Sequence, residues 1–114
     1  MVQNLQLKQT IVEVVDHDIC KKKYLKEIEV DITDHMFCAG TGFYDSCNGD
    51  SGGPAVFDNE LIGIVANGRD CGSYYFPGLY VKVSSYFDWI YNTTGINFVK
   101  WTFFLKIFNF YKLY

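Results

Sequence analysis

The chain has no excess of basic residues, because 13 acidic residues outnumber its 10 lysines and arginines and the net charge is −3. Proteins that bind nucleic acid or anionic membranes generally carry clustered positive charge. Neither kind of partner is therefore indicated. The absence of a basic patch instead favours a protein or peptide as the substrate or partner.

Close Cys-x-x-Cys pairs are also absent, because Cys20, Cys38, Cys47 and Cys71 are widely spaced. Zinc sites commonly need such pairs, so we expect no metal site. Four cysteines in a small domain fit a disulfide framework and an extracellular location. They allow three pairings, and spacing alone does not choose among them.

Neither end of the given sequence shows the pattern of a signal peptide or of a membrane span. The first residues lack the charged and apolar regions of a signal peptide, which leads us to expect that the natural N-terminus lies upstream of Met1. Residues 96–114 are rich in Phe, Trp and Tyr, but Lys100, Lys106 and Lys112 interrupt them well short of the ~18 uncharged residues of a membrane span. We interpret this tail as lying outside the domain and as translated non-coding sequence. A membrane or partner anchor is the alternative.

Hydrophobic patterning predicts several short strands and two helices. The strands are expected within 5–15, 36–40, 54–57, 61–66 and 78–83, with a hairpin turn at 58–60. A short helix over 19–25 is expected to be capped from 16–18, and a closing helix over 84–91 to have a serine cap. Short strands separated by turns argue for an all-β barrel.

The segment Cys47-Asn48-Gly49-Asp50-Ser51-Gly52-Gly53-Pro54 surrounds one serine with glycines. A serine oxygen can attack a carbonyl when it is exposed on a sharply bent backbone, and backbone N–H groups must then stabilise the negative oxygen. Glycines permit that bend because they reach backbone conformations closed to other residues. Ser51 is therefore predicted to be a nucleophile.

The run Gly49–Pro54 resembles, residue for residue, the segment around the nucleophilic serine of trypsin-like serine proteases. Residues 77–83, Pro-Gly-Leu-Tyr-Val-Lys-Val, are similar to a second segment of that family, and residues 5–94 can be aligned with its second half. The resemblance implies that residues 1–95 form the second, six-stranded Greek-key barrel of the trypsin-like fold, with a short intermediate helix and a C-terminal helix. It also implies the disulfides Cys20–Cys38 and Cys47–Cys71.

The same resemblance assigns roles to single residues. Ser51 is the nucleophile, and the N–H groups of Gly49 and Ser51 form the oxyanion hole. Asp45 lies at the bottom of a specificity pocket and pairs with an Arg or Lys side chain of the substrate. Gly68 and Gly78 keep that pocket open for the long side chain.

Asp50 matches the aspartate that, in this family, binds the new N-terminal amine after activation cleavage. The family needs no cofactor, and none is implied. Its catalytic histidine and orienting aspartate belong to a first barrel that is absent from this sequence. His17 and His35 fall where the family places no catalytic group, so we interpret them as surface residues.

Four positions near the pocket depart from the family. Ala66 and Asn67 replace the usual Ser-Trp, which removes a hydroxyl that supports the buried aspartate and an apolar wall for the substrate. Arg69 and Asp70 lie at the pocket rim, where small residues are common. Asp70 either adds a second carboxylate for a basic substrate or, as we favour, pairs with Arg69 or water.

We therefore predict a secreted serine endopeptidase that cleaves after Arg or Lys, represented here by its C-terminal half. Because the family's base is missing, we expect this chain alone to be inactive. A non-catalytic protease homologue that acts as a secreted binding module is one alternative, and a truncated gene product is another. The tripeptide 92–94, Asn-Thr-Thr, is a glycosylation sequon.

Overall fold

A computed structural model describes residues 6–96 and the backbone of residues 110–113. Most of the aromatic tail, residues 97–109, lies outside the described residues. The strands are β1 (Thr10–Val15), β2 (Met36–Ala39), β3 (Pro54–Phe57), β4 (Glu60–Asn67), β5 (Gly78–Lys82) and β6 (Phe110–Leu113). The helices are α1 (His17–Ile28) and α2 (Phe87–Thr94), and a 3-10 helix (Val83–Tyr86) leads into α2.

The six strands form one closed barrel in the order β1-β2-β5-β4-β3-β6, and each neighbouring pair is antiparallel. Strands β3, β4 and β5 are consecutive in both sequence and sheet. Strand β2 lies beside β5 and reaches β3 through the long connection 40–53, which is a Greek-key arrangement. The predicted all-β barrel with an intermediate and a C-terminal helix is confirmed.

The sixth strand comes from the C-terminal tail. Residues 110–113 pair with residues 10–13 of β1, and Lys112 and Leu113 pair with Val56 and Ala55 of β3. We expected the whole of residues 96–114 to lie outside the domain, and the structure differs from that expectation for these four residues. The physical reason is that the facing edges of β1 and β3 present backbone N–H and C=O groups that an added strand satisfies.

Local signals explain the hairpin and the first helix. Asp58 and Asn59 have φ values of 48° and 63°, and a two-residue loop with positive φ at both positions is the turn that best joins twisted antiparallel strands. The Asp16 carboxylate accepts a hydrogen bond of 3.0 Å from the Ile19 N–H and caps α1. That helix is longer than the predicted 19–25.

The predicted serine cap of the last helix is wrong. Ser84 and Ser85 lie inside the 3-10 helix, and Tyr86 precedes α2 without a side-chain cap. The helix ends at Gly95, whose φ is 74° and whose N–H donates to the Tyr91 carbonyl. Glycine adopts this left-handed conformation without steric cost, which makes it a common helix terminator.

The buried residues form two clusters on either side of β2 and β5. The cluster in the barrel interior consists of Val12, Ala39, Ala55, Ile62, Val65 and Tyr80. The cluster beneath α1 consists of Cys20, Tyr24, Ile32, Cys38 and Leu79. Of the two strands shared by both clusters, β5 begins with Gly78, which also lines the pocket described below.

Candidate active site

Ser51 is exposed in the loop between β2 and β3. The Asp50 N–H donates to the Cys47 carbonyl at 3.0 Å, and the Gly53 N–H donates to the Asp50 carbonyl at 2.8 Å, so the chain turns on both sides of the serine. The Gly52 N–H donates to the Val65 carbonyl of β4 at 2.8 Å. The serine is thus held on a bent segment that is anchored to the barrel.

The two glycines that flank this turn have left-handed backbones, with φ values of 96° at Gly49 and 84° at Gly52. Other residues adopt such conformations only with strain. A Cβ atom placed on Gly49 would meet no atom within 4 Å. The loop therefore has open space beside Gly49, two residues before Ser51.

A pocket opens beside Ser51, between the 45–48 segment and the end of β4. Its walls come from the serine loop, the end of β4, the segment that follows β4 and the start of β5. The lining residues are Asp45, Ser46, Cys47, Asn48, Ser51, Val65, Asn67, Gly68, Arg69, Asp70, Cys71 and Gly78.

Asp45 is the half-buried carboxylate of this pocket. Its Oδ1 accepts from the Ser46 N–H at 2.8 Å, and its Oδ2 accepts from the Gly72 N–H at 3.0 Å. Burial raises the pKa of Asp45, the backbone N–H groups partly oppose that rise, and the Asp50 charge adds to it. The arrangement holds one negative charge in fixed geometry inside a partly desolvated pocket.

Two glycines face each other across the pocket wall. A Cβ atom on Gly78 would lie 2.8 Å from the Asp45 Oδ1 and 3.0 Å from the Ser46 Oγ. A Cβ atom on Gly68 would meet only the Gly78 Cα, at 3.7 Å, which is an ordinary contact. Gly78 is therefore the position at which any larger residue would displace the carboxylate.

Asp50 faces a second cavity on the other side of the serine loop. This cavity runs from the Leu7–Thr10 segment to Gly49, Ser51 and Gly53, and Asp45 also contributes to its lining. The Asp50 Oδ2 accepts a hydrogen bond of 2.8 Å from the Cys47 N–H, and the side chain is exposed. Asp45 thus borders both cavities, whereas Asp50 borders only the second of the two.

Both disulfides have the pairing that the resemblance implied. Cys47–Cys71 joins the serine loop to the pocket wall, with 5.0 Å between the Cα atoms. Cys20–Cys38 joins α1 to β2 and lies in the buried cluster beneath the helix. A crosslink of this kind typically stabilises a small domain by about 2–4 kcal/mol.

Sequence reasoning did not identify three residues that build or support the pocket. Ser46 is buried in its wall. Tyr80 is fully buried beside Ser46, and burial raises the pKa of its hydroxyl to about 12. Tyr24 of α1 donates a hydrogen bond of 2.6 Å to the Pro77 carbonyl, just before Gly78. The apolar alternation of 78–83 placed Tyr80 in a strand but carried no signal for a pocket.

The two histidines lie away from the lining of both cavities that contain Ser51. The His17 Nε2 is 3.4 Å from the Asp34 Oδ1, and the His35 ring packs against Tyr86 with 5.9 Å between ring centroids. The structure therefore does not bring either histidine together with the serine.

Asp70 lies at the pocket rim beside Arg69, with 3.9 Å between its Oδ2 and the Arg69 Nε. This agrees with the pairing favoured from the sequence. Within residues 6–96, no group of three or more His, Cys, Asp or Glu side chains could hold a metal ion. None of the helices in the described part of the chain is long and apolar enough to cross a membrane.

A closed antiparallel barrel with an exposed serine in a glycine-rich turn, beside a pocket with a fixed carboxylate, is the architecture of a serine protease half-domain. The comparisons with known proteins agree. The trypsin family model matches residues 2–90. The chain belongs to the trypsin family.

Several relatives are similar to this chain over most of its length. It is 42% identical to a trypsin of Phaedon cochleariae over 79% of the chain and 35% of that protein. It is 44% identical to trypsin Tyr p 3.0101 of Tyrophagus putrescentiae over 74% of the chain and 30% of that protein. The chain thus spans about a third of the length of these curated relatives.

A solved structure shows the same fold. Neuropsin, a serine protease expressed in the limbic system of mouse brain, superposes with a TM-score of 0.64 and 40% identity, over 72% of this chain and 36% of that one.

Proposed function

We propose that this chain is the C-terminal part of a secreted serine endopeptidase that cleaves after Arg or Lys. The observation that carries the specificity is the Asp45 carboxylate, held by two backbone N–H groups in the pocket that Ser51 lines. An Arg or Lys side chain that enters this pocket would pair its cation with that charge. The two disulfides support secretion, because such bonds persist in oxidising compartments.

In this proposal Ser51 is the nucleophile, and the N–H groups of Gly49 and Ser51 stabilise the oxyanion. The open space over Gly49 supports that role. Asp50 is proposed to bind an amino terminus in the second cavity, where its carboxylate now accepts the Cys47 N–H. An ammonium group that binds there would compete with the Cys47 N–H for the Asp50 carboxylate and would change the conformation of the loop that carries Gly49.

We further propose that this chain by itself does not cleave peptides at the rate of a complete protease. A serine hydroxyl is a weak nucleophile unless an adjacent base accepts its proton. The sequence contains only two histidines, and neither lines the cavities that contain Ser51. The second candidate is a non-catalytic binding module, which the presence of Ala66 and Asn67 in place of the family's usual Ser-Trp favours.

The specificity is tested by measuring the binding of benzamidine, an aromatic amidine cation, to the full 114-residue chain. We expect saturable binding that an excess of arginine amide displaces. Asp45→Asn should weaken it at least tenfold, because the amidinium would lose its charged partner. Equal affinity for benzamidine and for uncharged benzamide would contradict the assignment of Asp45.

Cleavage is tested separately with an Arg-ended chromogenic peptide and a serine-reactive phosphonate. The expected result is no turnover above that of the Ser51→Ala variant and no fast labelling of Ser51. Turnover like that of a complete trypsin would show that another group acts as the base. It would refute the proposed inactivity of this chain but not the pocket specificity.

A further inference from the structure

The end of β4 changes its pairing where it passes the serine loop. Gly63, Ile64 and Val65 pair in sequence with residues 82, 81 and 80 of β5, but Asn67 pairs with Leu79, so Ala66 is an extra residue in the ladder. Bulges of this kind rotate the following residues relative to the sheet. The residues after Ala66 therefore continue along the pocket wall rather than along a regular strand.

The other edge of β4 loses its partner at the same place. Val65 exchanges hydrogen bonds with Gly52 and Gly53, at 2.8 and 2.9 Å, and these follow Ser51 directly. Asn67 and Gly68 are exposed and line the pocket that Ser51 also lines. A peptide with one side chain in that pocket would have its backbone at the pocket mouth, beside this segment.

The backbone N–H of Gly68 already has a hydrogen-bond acceptor within the chain. The Gly68 N–H donates a hydrogen bond of 2.8 Å to the Oδ1 of Asn67, the preceding residue. Short polar side chains compete in this way with other partners for neighbouring backbone groups. An extended peptide that adds alongside an exposed strand end gains affinity from such N–H groups, so it would have to displace the Asn67 amide first.

We propose that Asn67 is a specificity-determining residue that caps the Gly68 N–H and so weakens the recognition of extended peptide backbone at the pocket mouth. The inference rests on the proposed function, because it assumes that basic side chains enter the pocket. The chain would then select its ligands mainly by the side chain that reaches Asp45. The ligand residues that precede the basic residue would contribute little to the binding affinity.

The test compares two ligands that carry the same arginine side chain for the pocket but differ in the length of their peptide backbone. Acetyl-arginine amide fills the pocket alone, whereas acetyl-Ala-Ala-Arg amide adds backbone that can reach Gly68. The measured quantity is the ratio of their affinities for the full chain, determined by calorimetry for the native protein and three variants. Asn67→Leu keeps the side-chain bulk without an acceptor, Asn67→Ala removes both, and Asn67→Asp keeps the acceptor oxygen.

We expect a ratio near one for the native chain and for Asn67→Asp. Asn67→Leu and Asn67→Ala should raise it by about 2–10-fold, the effect of one net hydrogen bond. Amide hydrogen exchange gives a second readout, because the Gly68 amide should exchange faster in Asn67→Leu than in the native chain.

An affinity ratio that is the same in all four proteins would overturn the inference, even if a substitution changes both affinities by the same factor. If neither ligand binds the native chain, the proposed function fails, and the inference that rests on it fails as well. Binding of acetyl-arginine amide with an unchanged ratio would overturn only the role of Asn67. The two failures are therefore distinguishable.

Discussion

The substitution Gly78→Ala tests whether close backbone packing holds the pocket carboxylate in place. The added Cβ would lie 2.8 Å from the Asp45 Oδ1, 3.0 Å from the Ser46 Oγ and 3.2 Å from the Ala39 carbonyl oxygen. Contacts below 3.0 Å require one of the groups to move. Asp45 is the group that can move, but two backbone N–H groups hold it.

The magnitude follows from those contacts. Overpacking by one methyl group in a tightly packed site typically costs about 1–3 kcal/mol. If Asp45 instead moves to relieve the contact, the loss is of similar size, because a hydrogen bond to a charged group is worth about 1.5–3 kcal/mol. We therefore expect the free energy of unfolding to fall by about 1–3 kcal/mol, which corresponds to a fall in Tm of roughly 5–15 °C for a domain of this size. Benzamidine binding should weaken at least tenfold.

Gly68→Ala is the matched control, because its Cβ would meet only the Gly78 Cα at an ordinary 3.7 Å. Its free energy of unfolding should stay within ~0.5 kcal/mol of the native value, as for most surface substitutions. The assay is thermal unfolding of the disulfide-intact proteins by circular dichroism, with benzamidine titrations in parallel. Equal destabilisation by both substitutions, or native stability of Gly78→Ala, would refute the packing argument.

Three further predictions concern the helix support, the pocket charge and the closing strand. Tyr24→Phe removes a buried hydrogen bond of 2.6 Å to the Pro77 carbonyl, so unfolding measurements should show a loss of about 1–3 kcal/mol; Tyr74→Phe, on an exposed ring, should show none. Burial raises the pKa of Asp45 above its ordinary 3.8, so this carboxylate takes up a proton at a higher pH than an exposed aspartate does. Because the protonated form has no charge to pair with an amidinium, benzamidine affinity should fall on acidification with a midpoint above pH 3.8. An affinity that does not change with pH would contradict this. Deletion of residues 97–114 removes β6 from between β1 and β3 and should lower Tm and promote aggregation through the exposed edges; an unchanged Tm would show that the strand does not stabilise the barrel.

Features that depend on a few neighbouring residues were predictable. The cap of α1 from Asp16 and the turn at Asp58 and Asn59 need no information from distant parts of the chain. The serine cap of α2 was predicted wrongly, because the 3-10 helix takes up Ser84 and Ser85 before the α-helix begins. Strand β6 was missed, because pairing with β1 and β3 depends on the edges that the rest of the fold leaves open.

The sequence by itself determined the family, the alternation of short strands and the glycine-rich turn around Ser51, because each is written in contiguous residues. Only the tertiary structure decided what surrounds that serine. Tyr24 supports the pocket from a helix, Gly78 of β5 approaches Asp45 in the connection between β2 and β3, and Asn67 accepts the Gly68 N–H after a bulge. Such contacts join residues that are distant along the chain or depend on strand register, and neither can be predicted from a few neighbouring residues.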